Sequence, residues 1–251
     1  MENLTLSFRV RRRTSFIDGI YLTNTVFSYM SHLHIFMCDI VSDETIINQH
    51  TKPSPDDIRR TFIQNGHNVD CYIDDYTEEI GRCHVYSLPF TMDDIHYITS
   101  RFPGGTFANV RVLRLRDICR SFEHSFFARI ARSFPLLNEL AVSNTTEQIG
   151  RSIRQLNKLI QVSSVIEYPH LAKLDLTFVH IDYVEQFLSS MNTRLPCLTK
   201  LWVRYEHLIS VTNNFTRDST RINSAKLKHI IFYQPMYSVQ SRDFFLYFPS
   251  L

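Results

Sequence analysis

The sequence predicts an α/β solenoid, in which a short buried strand and a helix alternate along the chain. The first observation is a short phrase, an aromatic residue or leucine followed by proline, any residue and leucine, which recurs in the second half. The second is that apolar residues stand three and five places after the last leucine of the first three copies. The four copies are 134–137, 168–171, 195–198 and 248–251.

This spacing is the strand signature of a leucine-rich repeat, in which each unit buries its apolar face only against its neighbours. Five strands begin 27, 34, 27 and 29 residues apart, at Val110, Leu137, Leu171, Leu198 and Leu227. Leucine-rich units have roughly 20 to 29 residues, so each unit here has room for a strand and a helix. We therefore expect a curved parallel sheet on the concave side and helices on the convex side.

The array is expected to be a single domain over 1–251, irregular and truncated at both ends. Weaker copies of the strand pattern begin at Met1 and Leu33, and the last phrase stops at Leu251, where a strand should begin. Residues 42–80 break the rhythm and are predicted to be an insertion within the array. A proline followed by acids at 53–57 indicates a helix start, and alternation around Cys71 and Val85 indicates a hairpin.

Apolar residues with helical periodicity lie between the predicted strands. They predict helices at 91–101, 123–133, 151–166 and 182–191. These stripes are typical of a buried helix face, and we assign them to the core.

Composition indicates a folded soluble protein: 44% hydrophobic and 21% charged residues, with a net charge of +2. No apolar stretch is long enough for a membrane helix, and the acidic start is unlike a signal peptide. Five cysteines, odd in number and widely spaced, favour reduced thiols and a cytoplasmic or nuclear location. We expect no membrane and no nucleic-acid partner; binding of nucleic acid by the run Arg11, Arg12 and Arg13 is the minor alternative to an exposed loop.

The sequence predicts no enzyme, because it contains none of the motifs C-x-x-C, H-E-x-x-H or G-x-S-x-G. Only six glycines are present, and none forms a phosphate loop. His32 and His34 share one face of a predicted strand, but no third metal ligand accompanies them. We therefore predict no catalytic residue, no cofactor and no metal.

The candidate binding site is a protein-binding surface on the concave face, where strand residues that alternate with the buried ones must point. An exposed tryptophan flanked by lysine and arginine is the composition of an interface hot spot, and Trp202 is the only tryptophan. The alternative is that Trp202 only covers the sheet or packs against Ile231. The predicted site consists of Arg114, Arg116, Glu139, Lys173, Asp175, Lys200, Trp202, Arg204 and Tyr233.

Two stretches, 83–90 and 122–137, resemble the divergent leucine-rich region of F-box proteins. In that family an F-box docks on the Skp1 subunit of a cullin ubiquitin ligase, while the repeats select the protein to be ubiquitinated. The resemblance implies a substrate-recognition region whose contact with Skp1 and cullin would need an F-box that this chain does not contain. The alternative function is a leucine-rich-repeat scaffold or regulatory adaptor unrelated to ubiquitination.

Overall fold

The computed structural model of the chain describes residues 2–48, 52–149, 164–233 and 242–251. The chain divides into two compact units: Met1–Met92 with Arg101–Pro103, and Asp93–Ser100 with Gly104–Leu251. The predicted helix at 151–166 falls mainly outside the described residues.

The first unit is built on a four-stranded mixed sheet with the order β1-β2-β4-β3. Strands β1 and β2 pair in parallel, whereas β4 pairs antiparallel with both β2 and β3. The strands are β1 (Glu2–Arg11), β2 (Leu33–Ile46), β3 (Val69–Asp75) and β4 (Ile80–Ser87). Helices α1 (Gly19–Thr25) and α2 (Pro55–Ile63) accompany the sheet, with a single 3-10 turn at Phe27–Tyr29.

One face of this mixed sheet forms an apolar core with the two helices. Buried Cys38, Ile40 and Val85 pack in one cluster with Ile58 and Phe62 of α2. Helix α1 lies so close to α2 that a Cβ atom on Gly19 would stand 2.3 Å from the backbone oxygen of Thr61. Only glycine fits there, and its N–H donates to Thr61 Oγ1 at 2.7 Å.

The local predictions for 53–87 are confirmed. Helix α2 has Pro55 in its first turn and a capping box in which Ser54 and Asp57 satisfy each other's backbone N–H groups. Strands β3 and β4 form the predicted antiparallel hairpin, with Cys71 opposite Val85. Residues 42–80 thus contribute α2, β3 and the end of β2 to the first unit.

The second unit contains a six-stranded sheet in which all pairs are parallel, with the order β12-β11-β9-β7-β6-β5. Its strands are β5 (Asp94–Ile98), β6 (Val112–Arg116), β7 (Glu139–Asn144), β9 (Lys173–Val179), β11 (Lys200–Val203) and β12 (His229–Phe232). Two short strands, β8 (Ile166–Glu167) and β10 (Thr193–Arg194), pair with each other. The helices among its described residues are α3 (His124–Ser133), α4 (Ile181–Leu188), α5 (Tyr205–Thr212), α6 (Asp218–Ser224) and α7 (Arg242–Tyr247).

Neighbouring strands of the parallel sheet begin in a common register, which shifts only later along β5 and β9. The apolar residues three places after the start of each predicted strand stand opposite one another across five strands, as expected, and we call them the ladder. The ladder consists of Leu113, Leu140, Leu174, Leu201 and Ile230. The first four of these side chains are fully buried. Helices α3 and α4 bury aromatic residues, and Phe127 meets Phe187 edge to face at 4.9 Å.

The prediction of a leucine-rich-repeat solenoid is wrong, although the fold is α/β. The first unit has a mixed sheet in which β2, β4 and β3 run antiparallel, so no parallel array continues through it. The strand patterns beginning at Met1 and at Leu33 fall on β1 and β2 of this mixed sheet. Any partly buried strand can satisfy so short an apolar pattern, which explains the false matches.

The predicted helix at 91–101 is also wrong, since Asp94–Ile98 is strand β5. Tyr97 has a φ of 62°, and the register with β6 shifts between His96 and Ile98. This bulge brings Ile95 and Ile98, three residues apart, to the same buried side. A strand with a bulge thus imitates the spacing of a helix. The helices predicted at 123–133 and 182–191 are confirmed as α3 and α4.

We predict that Leu174→Ala lowers the free energy of unfolding by roughly 2 to 5 kcal/mol, because it opens a cavity in the middle of the ladder. Urea denaturation followed by Trp202 fluorescence measures this, since Trp202 lies on the neighbouring strand β11. The control is Ile222→Ala on α6, where the side chain is 68% exposed and the change should stay within about 0.5 kcal/mol. Equal stability of the two variants would contradict the buried ladder.

Candidate protein-binding surface

The residues that alternate with the buried ladder form the outward face of the parallel sheet, here called the sheet face. Glu139, Lys173 and Lys200 stand side by side in one register row. Asp175 and Trp202 stand opposite each other in the next row. The structure brings the nine predicted residues to this face or to the strand ends beside it: Arg114, Arg116, Glu139, Lys173, Asp175, Lys200, Trp202, Arg204 and Tyr233.

Aromatic and aliphatic side chains cluster at the β12 side of the sheet face. Trp202 is opposite Ile231, which is 37% exposed. Phe178 and Tyr233 are 47% and 54% exposed, and their rings meet edge to face at 5.0 Å. We call Phe178, Trp202, Ile231 and Tyr233 the aromatic patch. Large apolar side chains left in water at neighbouring positions are typical of an interaction site.

Phe178 is not among the predicted site residues, because strict alternation from Lys173 and Asp175 would place Thr177, not Phe178, on the sheet face. The register between β7 and β9 shifts between Ala141 and Ser143, so that Ser143 stands opposite Phe178. Thr177 is consequently buried and Phe178 points outward. The signal in the sequence is the step from Leu176 to Val179, three residues instead of two between buried positions, which indicates a bulge.

Some of the positively charged side chains of the sheet face form an ion pair or a hydrogen bond within the protein, and others form no ion pair. Lys173 forms an ion pair with Glu139 on the neighbouring strand at 3.2 Å, and Arg204 donates to the backbone oxygen of Thr177 at 3.2 Å. Within the described parts of the chain, Arg114 and Arg116 form no ion pair. These two guanidinium groups on β6 are therefore available to an acidic ligand.

Trp202 itself is held by a cation. The Lys200 Nζ atom lies 4.6 Å from the centre of the Trp202 ring, within the range of a cation–π contact. Burial, and then the charge of Arg204, lowers the pKa of nearby His207 on α5, so at neutral pH the positive charge there belongs to Arg204. The ring of Trp202 is thus oriented by Lys200 while part of it remains exposed.

A second concentration of polar groups lies on the mixed sheet of the first unit. His84 is fully buried and joins Asp39, through Nε2 at 2.5 Å, to the hydroxyl of Tyr72, through Nδ1 at 3.0 Å. With Nε2–H donating to the carboxylate, Nδ1 can accept from the tyrosine, and the three groups satisfy one another. A histidine hidden from solvent in this way cannot reach a substrate, so we interpret the contact as structural.

Asp43, also on β2, is the other centre of this polar layer. It accepts hydrogen bonds from the Tyr76 hydroxyl at 2.7 Å and from Arg9 Nε at 2.8 Å. Burial alone would raise the pKa of Asp43, but these two hydrogen bonds and the charge of Arg82 lower it below its ordinary value. Burial likewise would lower the pKa of Arg82, and Tyr72, Tyr76 and Asp43 raise it instead. The network therefore holds its charges in place between strands that are distant in sequence.

Within the described ranges, no group of three metal-ligating side chains occurs. His34 is exposed on β2, and His32 precedes the strand. Among the same residues no helix has the length and apolar character needed to cross a membrane.

Comparisons of the chain with protein-family models, with curated proteins and with solved structures found no match. A functional proposal consequently depends on the geometry of the surfaces described above.

We predict that Asp43→Asn destabilises the protein by roughly 3 kcal/mol at neutral pH, because it leaves Arg9 and Arg82 without their buried counter-charge. A carboxyl whose folded-state pKa is depressed stabilises the fold above its unfolded-state pKa of about 3.9, and this contribution is lost as the pH falls through the folded-state pKa. Urea denaturation at several pH values should therefore show the difference from the natural protein shrinking in acid.

The control for this experiment is Asp56→Asn at the start of α2, where the ion pair with Arg59 is exposed. Its effect should stay within about 1 kcal/mol. A loss that is as large for Asp56→Asn, or one that does not depend on pH, would contradict the role given to Asp43.

Proposed function

We propose that the chain is a protein-interaction module that binds a partner protein through the sheet face. The observation that carries the proposal is the aromatic patch on the sheet face, together with two arginines farther along the same face, on β6, that form no ion pair within the described residues. Tryptophan, tyrosine and arginine are the residues that most often dominate the energy of protein interfaces. Their position on strands also limits the conformational entropy lost on binding, because the backbone is already fixed.

The chemistry of the sheet face favours a protein over nucleic acid. Glu139 and Asp175 stand among its cations, and the chain as a whole carries a net charge of only +2. A surface for nucleic acid would need an excess of positive charge to neutralise phosphates. Mixed charge around an aromatic centre fits a polypeptide with an apolar anchor and flanking acids.

A finer proposal is that this partner is a protein marked for ubiquitination, with the chain acting as the substrate-recognition region of an F-box-type adaptor. It is supported by the resemblance of 83–90 and 122–137 to that family. The alternative is a scaffold or regulatory adaptor unrelated to ubiquitination, which would use the same sheet face.

We predict that Trp202→Ala and Phe178→Ala each weaken partner binding by about 2 kcal/mol, roughly 30-fold, as expected for hot-spot residues. The measurement is quantitative affinity capture by the natural full-length protein and its variants, followed by titration of the recovered partner. Ile222→Ala is the matched control, since it also removes an exposed apolar side chain but from α6. A partner that binds all three variants as tightly as the natural protein would exclude the sheet face.

The finer proposal predicts that the natural full-length protein forms a stable complex with Skp1 and cullin. Size-exclusion chromatography of the co-expressed proteins tests this directly. The Trp202→Ala variant should still form this complex, because Skp1 would bind an F-box outside this chain. A full-length protein that never binds Skp1 would refute the ligase assignment and leave the scaffold or regulatory alternative.

A further inference from the structure

Strand β12 is the edge of the parallel sheet. It pairs with β11 on one side, and within the described residues no strand pairs with its other side. An edge strand exposes backbone donors and acceptors in the arrangement that a further strand needs.

A repeated backbone contact defines how each strand of this sheet is added to the one before it. The carbonyl of the residue just before each strand accepts two N–H groups, from the residue before the next strand and from the first residue of that strand. Thus the Arg111 oxygen accepts from Asn138 at 2.8 Å and from Glu139 at 2.9 Å. The accepting residues are Asp93, Arg111, Asn138, Ala172 and Thr199.

Lys228 is the next member of this series. Its N–H donates to the Thr199 oxygen at 2.8 Å, as the series requires. In the described part of the chain its own carbonyl accepts no hydrogen bond. The backbone at β12 is therefore preformed to receive two N–H groups from one more parallel strand.

The side chains beside β12 leave room for such a strand. Ile230 and Phe232 are only partly buried, whereas their neighbours Leu201 and Val203 on β11 are fully buried. A cavity of about 360 Å³ opens there, with Phe244 of α7 and Leu251 in its wall. An added strand with two alternating apolar residues would complete the burial of this end of the core.

The positive charge at this edge indicates that an acidic residue should precede the apolar residues of the added strand. Lys200, Lys228 and His229 line the same cavity. Glu139 and Lys173 occupy the positions on β7 and β9 that correspond to His229 on β12, and these two side chains form an ion pair. An acid at the corresponding position of an added strand would lie beside the basic side chains in the same way.

We propose that the β12 edge binds an extended segment of a partner protein with the pattern acid, apolar, any residue, apolar, which adds to the sheet as a parallel strand. This site adjoins the sheet face and shares Lys200 with it, but it depends on backbone hydrogen bonds and on the open end of the core, whereas the sheet face uses only outward side chains. Addition of a strand to an exposed edge is an established mode of peptide recognition.

The probe is a fluorescent synthetic peptide with the sequence of 136–145, which contains this pattern in strand β7 as Glu139, Leu140, Ala141 and Val142. Its binding to the intact 251-residue chain is measured by fluorescence anisotropy. We expect saturable binding with a Kd below about 1 mM. Methylation of the two peptide nitrogens that correspond to Asn138 and Glu139 should weaken binding by at least about tenfold, because each removes a hydrogen bond to Lys228.

Reversing the charge of Lys228 tests whether the acidic residue of the peptide contributes to binding. Lys228→Glu should weaken the peptide by about fivefold, and replacement of the peptide's glutamate by lysine should restore binding to that variant. Arg132→Glu makes the same change of charge at an exposed position of α3, outside both the sheet face and the β12 edge, and should leave the Kd within about twofold.

Three results would overturn the proposal. The first is the absence of saturable binding below about 1 mM. The second is binding that the N-methylated peptide reproduces, because strand addition depends on those N–H groups. The third is a dimer in sedimentation analysis that excludes the peptide, since the edge would then belong to a second copy of the chain.

Discussion

The second unit depends on the common register in which its parallel strands begin. One carbonyl before each strand receives two N–H groups from the next, from Asp93 through to Thr199. Because side chains alternate along a strand, a shift of a single residue would exchange the buried and outward sets. The register therefore determines two properties together: a continuous leucine-rich ladder inside and a defined sequence of polar and aromatic rows outside.

Much of this unit can be predicted from its sequence, because the repeated phrase and the apolar spacing are local signals. The five strands from β6 to β12 in the six-stranded sheet were predicted with their buried residues, and the nine predicted site residues lie on or beside one face. The errors occur at two bulges. At Tyr97 a bulge imitates helical spacing, and at Thr177 it exchanges a threonine for Phe178 on the sheet face. Each bulge changes the period of two on which strand predictions depend.

The first unit shows why the fold could not be extended from these repeats. The hairpin of β3 and β4 and the start of α2 are local and were predicted. The pairing of β2 with β4 joins residues such as Asp39 and Tyr86, which are far apart in sequence, and no local pattern specifies its direction. Nor does the sequence show that Asp39 and His84 are partners, since their contact exists only once β2 and β4 are aligned.

The same register also explains why the β12 side of the sheet has two kinds of exposed surface. In the middle of the sheet, each apolar side chain of the ladder has a ladder side chain on both neighbouring strands, so Leu174 and Leu201 are fully buried. Among the described residues β12 has a neighbouring strand on one side only, so Ile230 and Phe232 are partly exposed, while Ile231 and Tyr233 continue the outward rows. Apolar surface is thus concentrated at one end of the sheet on both its edge and its face. At the β6 side of the sheet face, by contrast, Arg114 and Arg116 supply charge. The surface has a direction, with aromatic anchors at one end and cations at the other, and an extended ligand that crosses the strands could bind in only one orientation with full complementarity.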